Sequence, residues 1–183
     1  MLRLTWDDRL PTDSTALQRF NVVPAESTLS FFVKSGAGTV YGKTQSLGGG
    51  VEARWDADGR LVTEPTPRMH VEFAVESLTS GTRAKDQDFW GMIDCARFPK
   101  ITGDLLQILS TTGGINIAIG RITVGGVPRS YQGSFLVKRS QGRIDIDGFL
   151  TINIKDFGLK ETRFLSFGVN ADVKVRMIVA ARS

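Results

Sequence analysis

The sequence predicts an all-β protein: an antiparallel, up-and-down barrel of about eight strands with one short helix-bearing insertion. Three observations lead there. Apolar residues recur at every second position through most of the chain after Phe20, the period of strands with one wet and one buried face. Glycine-bearing pairs suited to tight reversals separate these runs. Only one segment carries helix signals, so no helices remain to cover the sheet's edges, and closing the sheet on itself removes them.

Residues 1–18 show neither clean alternation nor a helical stripe and are expected to form an arm ahead of a domain over 19–183. Leu29, Phe31 and Val33 share one strand face against Thr28, Ser30 and Lys34, with Phe32 on the wet side. Met69, Val71, Phe73 and Val75 repeat the pattern against His70, Glu72 and Glu76. Thr82 is placed to cap a short helix from about Arg83 to Met92, which carries Phe89 and Trp90 toward the sheet. Pro99 restricts Phe98 and ends the insertion before a strand from Ile101 to Leu109.

Ile115, Ile117 and Ile119 share a parity that gives way at Gly120 to Ile122 and Val124, which predicts a bulge or sharp bend there. Ile144, Ile146, Leu150 and Ile152 alternate with polar residues, with Gly148 on the apolar face and Phe149 off it. Val173, Val175, Met177 and Val179 close the chain in the same style. Asp58-Gly59, Gly113-Gly114, Gly125-Gly126 and Gln141-Gly142 each offer a residue able to take positive φ at a turn. Gly48-Gly49-Gly50 lacks the Lys-Ser or Lys-Thr and the following helix of a phosphate loop, and reads as a hairpin or edge.

The chain, at 183 residues with 41% hydrophobic and 23% charged side chains, suits one domain able to enclose an apolar interior. Its net charge of +4 is spread among acidic residues, the pattern of a solvated exterior rather than a nucleic-acid footprint. No nucleic-acid partner is therefore expected. Cys95 is the one cysteine, which excludes an internal disulfide. With no signal-peptide pattern or long apolar run, a cytoplasmic location is expected, with membrane contact at most transient.

Catalytic chemistry has little to stand on. His70 is the sole histidine and lies on a polar strand face, without a partner motif for metal ligation or a triad. Cys95 is a nucleophile only if exposed beside a base. Asp86, Asp88 and Asp94 crowd one segment without calcium-loop spacing. No enzyme activity, metal or cofactor is expected.

The chain resembles the YceI-like family of polyisoprenoid-binding proteins with lipocalin-like barrels. The resemblance is carried by Pro24-Ala25-Glu26-Ser27-Thr28-Leu29-Ser30-Phe31, Val40-Tyr41-Gly42-Lys43 and Ser77-Leu78-Thr79-Ser80-Gly81. It continues through Phe98-Pro99-Lys100-Ile101, Gly120-Arg121-Ile122-Thr123-Val124-Gly125-Gly126-Val127 and Lys155-Asp156-Phe157-Gly158. Where relatives show Arg-Asp-x-His-Leu, this chain has Lys85-Asp86-Gln87-Asp88-Phe89. The resemblance implies an apolar channel holding an isoprenoid or other long-chain amphiphile, and a homodimer.

Alternation alone does not say whether such a barrel is hollow or filled. Gly133 and Gly148 share parity with inward apolar residues and contribute no side-chain volume there, which favours a hollow. Phe31, Val33, Phe73, Ile117, Phe135 and Leu150 are the candidate lining, with Phe89, Trp90 and Phe98 as a lid. Arg83 and Lys85, at the helix start, are the candidate contacts for a polar head. The expected function is non-catalytic binding, transport or storage of an isoprenoid or fatty lipid. The alternative is a packed barrel serving as a protein-interaction or stress-related module, with Phe32, Phe149 or the arm as its contact.

Overall fold

The computed structural model describes residues 16–35, 38–160 and 171–183; the expected arm lies outside the described residues as far as residue 15. Ten strands are described: β1 (Gln18–Val22), β2 (Thr28–Ser35), β3 (Gly38–Thr44), β4 (Gly48–Ala53), β5 (Arg68–Ala74), β6 (Lys100–Thr112), β7 (Ile115–Val124), β8 (Val127–Ser140), β9 (Arg143–Asn153) and β10 (Asp172–Arg182). One α-helix, α1 (Arg83–Ile93), lies between β5 and β6. Every pairing is antiparallel, in the order β1-β4-β5-β6-β7-β8-β9-β10-β2-β3, and β1 also pairs with β10.

That last pairing closes β1 and β4–β10 into an eight-strand ring. From β4 to β10 the ring is the expected meander. The remaining hairpin, β2–β3, follows β1 along the same edge of β10: Val22 sits opposite Ala181, and Thr28 opposite Ile178. Ser27 fills the interruption, where its hydroxyl donates to the Val23 carbonyl at 2.8 Å and accepts from the Ala180 N–H at 3.1 Å. β3 then reaches the segment after β5 through paired backbone hydrogen bonds between Lys43 and Thr79. One end of the barrel is thus closed by β1 and the other by the β2–β3 hairpin.

The turns follow their chemistry. Gly113-Gly114 and Gly125-Gly126 each hold two consecutive positive φ values, the two-residue reversal whose twist matches its flanking strands. The triple glycine departs from expectation: it opens β4, a strand paired with both β1 and β5. A Cβ on Gly49 would fall 2.1 Å from the His70 carbonyl oxygen, so close backbone approach accounts for the residue there.

The expected break in β7 is also corrected. β7 pairs with β8 in unbroken register from Ile115 to Val124, and the register shifts lie in β6, between Leu105 and Gln107 and between Ile108 and Ser110. Asn116 and Ala118 are buried whereas Ile115 is 46% exposed. Ile115, Ile117 and Ile119 therefore ride on the outer face while Ile122 and Val124 face in, and the apparent change of parity reflects an apolar exterior beside small inward residues.

Candidate functional site

Strand alternation sends Leu29, Phe31 and Val33 from β2, Val71 and Phe73 from β5, and Val173, Val175 and Met177 from β10 into the barrel, where they wall a cavity of about 230 Å³. The wall is apolar along most of its length because each strand contributes its inward residues and keeps its charges outside. Space survives among them because four successive strands carry glycine at an inward position: Gly103, Gly120, Gly133 and Gly148 all line the cavity.

The helix α1 supplies part of the wall. The expected capping by the Thr82 side chain is not made; the segment before the helix is instead fastened by Asp86. This carboxylate accepts the Thr79 hydroxyl at 2.7 Å, and the Ser80 N–H and hydroxyl at 2.6 Å each. Burial pushes its pKa up, but the hydrogen bonds from Ser80 and Thr79 outweigh that and hold it below the usual carboxylate range. So anchored, α1 directs Phe89 onto Phe31 of β2, ring centroids 5.8 Å apart. Thr79, Ser80, Lys85 and Asp86 form a polar stretch of an otherwise greasy wall.

Tyr131 also lines the cavity. Its hydroxyl donates to the Asp156 carboxylate at 2.7 Å. Burial first, then this carboxylate, push the phenol up to about 12, so it is a fixed donor rather than a proton-transfer group at neutral pH.

Of the sequence-derived candidates, Phe31, Val33, Phe73, Phe89, Phe135, Leu150 and Lys85 come together around this cavity. Four do not. Ile117 lies between inward Asn116 and Ala118 and therefore faces out. Trp90 packs on the core and donates its indole N–H to the Leu78 carbonyl at 3.3 Å. Phe98 lies against the β7–β8 turn, where a Cβ on Gly126 would fall 2.4 Å from its ring. Arg83 is exposed on α1 and absent from the wall. Met69, Leu105, Tyr131 and Met177 line the cavity and were not singled out; their inward parity was the available signal.

His70 stays outside the barrel, in a row across β5, β6 and β7. Its Nδ1 is 2.8 Å from Asp104 Oδ1, and Arg121 donates to the other Asp104 oxygen at 3.1 Å. The hydrogen bond with His70 and that from Arg121 hold the Asp104 carboxyl below its usual range despite burial. The Cys95 thiol lies 3.9 Å from Glu76 Oε1. No group of metal-ligating side chains occurs among the described residues.

A YceI-like domain model matches residues 20–181. Among solved structures, BcnA from Burkholderia cenocepacia superposes with a TM-score of 0.72 at 17% identity, covering 87% of this chain and 98% of that one. A polyisoprenoid binding domain from Saccharophagus degradans, implicated in plant cell wall breakdown, gives 0.68 at 16% identity, with 90% and 98% covered. The Campylobacter jejuni YceI protein gives 0.60 at 16% identity, with 79% and 85% covered. No curated protein matches the chain.

Proposed function

Because the chain belongs to the YceI-like family, we propose that it binds an isoprenoid or other long-chain amphiphilic lipid in the barrel and carries or stores it without chemical change. The observation that carries this reading is the apolar cavity of about 230 Å³ inside the ring. In a barrel serving only as a rigid module this unfilled apolar space would forfeit packing contacts without return. Burial of a hydrocarbon tail contributes about 0.8 kcal/mol per methylene, so affinity needs few polar contacts. The polar head then lies at Thr79, Ser80 and Lys85. Transfer to and from a membrane requires only transient contact.

The homodimer implied by the resemblance has a suitable surface. Leu106 and Leu109 of β6, Ile115 of β7 and Leu136 of β8 are each 41–46% exposed on the outer face, and a second copy covering them would remove an apolar band from water. Phe32 and Phe149 are less available, because Lys174 and Arg176 lie over their rings.

Titration with a polarity-sensitive fluorophore bearing an alkyl tail tests the reading. One saturable site per chain, with blue-shifted emission and displacement by long-chain alcohols, is expected. Absence of saturable binding contradicts it.

A further inference from the structure

We propose that Met69, Leu105, Phe135 and Ile146 form a floor across the barrel that fixes the length of tail it accepts; this rests on the proposed binding of a lipid tail in the cavity. A second, far smaller cavity of about 20 Å³ lies beyond the main one, and these four side chains are the ones that line both. They come from four different strands, β5, β6, β8 and β9, so together they span the bore instead of thickening one wall.

The sequence builds a step at this level. On three strands an inward glycine is followed, one inward position toward the floor, by a bulky residue: Gly103 by Leu105, Gly133 by Phe135, Gly148 by Ile146. The hollow above and the obstruction below are thus written in adjacent inward positions. Phe135 sits opposite Gly148 across β8 and β9, and a Cβ on Gly148 would be 3.7 Å from the Phe135 Cβ. The register shift of β6 falls between Leu105 and Gln107, where a bulge re-aims side chains. Below the floor, Trp55 is 2% exposed and Ile144 fully buried, with the Arg139 guanidinium 5.3 Å from the Trp55 ring.

Each isoprene unit buried should raise affinity at least about tenfold until the floor is met. The experiment measures displacement of the fluorophore from the full chain by linear prenyl alcohols of two to six isoprene units. For the wild type, affinity rises with each unit until the tail meets the floor, within this series, and then stops rising. Phe135→Ala joins the two cavities, so the rise continues by at least one further unit, with about a tenfold gain for the first alcohol longer than the wild-type limit. Leu105→Ala is the second variant and gives the same extension should Phe135→Ala fail to fold. Val137→Ala, which enlarges the lower cavity alone, leaves the wild-type profile.

A wild-type affinity that keeps rising through six units overturns the floor, as does an unchanged profile in both Phe135→Ala and Leu105→Ala. In either case binding of the short alcohols leaves the lipid reading standing. If no prenyl alcohol displaces the fluorophore, the lipid reading itself falls and the floor with it.

Discussion

The Phe31 ring lies nearly parallel to that of Phe89, at 22° and 5.8 Å, and the same Phe31 ring rests against β3 where Gly42 has no side chain. A Cβ on Gly42 would fall 2.3 Å from Phe31 Cε1. One ring thereby joins the β2–β3 hairpin to α1 along the cavity wall, and glycine is required at 42 for space rather than for backbone conformation.

Gly42→Ala is expected to push the Phe31 ring off Phe89 and to destabilise the fold by about 1–3 kcal/mol, the usual range for overpacking. Adding Phe31→Leu should recover most of that loss, because the two sites touch and their effects do not add. Urea denaturation of the two single variants and the double variant checks this.

Two inward glycines should respond in opposite ways. A Cβ on Gly148 meets only ordinary contacts at 3.7–3.9 Å, whereas on Gly133 it would fall 2.8 Å from the Phe149 carbonyl oxygen. Gly148→Leu is therefore expected to keep stability within about 1 kcal/mol while filling the cavity, lowering fluorophore affinity at least about tenfold. Gly133→Ala is expected to cost about 1–3 kcal/mol, since backbone cannot yield as a side chain can.

Asp86 ties the Thr79-Ser80 segment to α1 through three hydrogen bonds to a charged acceptor. Asp86→Ala should cost about 2–4 kcal/mol and Asp86→Asn less, because the amide keeps one acceptor oxygen. The pH dependence has a definite sign. The folded pKa lies below the unfolded one, so the contribution is complete above the ordinary carboxylate range and disappears as pH falls through the folded value. The stability gap between wild type and Asp86→Asn should be widest at neutral pH and narrow in acid, measured by thermal melts across that range.

The exterior histidine and the lone cysteine should be dispensable. The His70–Asp104 pair is 47% and 27% exposed, a setting in which ion pairs contribute about 0–1 kcal/mol. His70→Ala combined with Cys95→Ser is expected to leave fluorophore binding unchanged in the titration.

Much of this architecture was legible because alternation and burial coincide. On β2, β5, β9 and β10 the apolar residues face in, with Phe32, Phe149 and Ile178 as the exceptions, and Gly133 and Gly148 already marked empty inward positions. Reading failed on β7, where inward Asn116, Ala118 and Gly120 are small or polar and outward Ile115, Ile117 and Ile119 are large and greasy. Apolarity reports facing only when the exterior is wetter than the interior, and a hollow barrel with an apolar outer band breaks that condition. The β6 bulges and the passage of β1 and β2 along one edge of β10 depend on long-range pairing, which no local pattern encodes. Thr82 resembled a cap, but Asp86, four residues later, fastens the helix through tertiary contacts.

The outer band offers its own check. If a second copy covers it, Leu109→Lys together with Leu136→Lys should give a monomer that still binds the fluorophore, since neither residue lines the cavity. Sedimentation velocity at several concentrations distinguishes this from a chain that is monomeric throughout.

Native mass spectrometry of the freshly purified chain, followed by organic extraction and mass analysis of what is released, tests the central claim most directly. The expected result is one long-chain lipid per barrel in the wild type, or its uptake when a three- or four-unit prenyl alcohol is supplied, and neither in Gly148→Leu. A wild-type chain that arrives empty and stays empty with prenyl alcohol present would contradict the account.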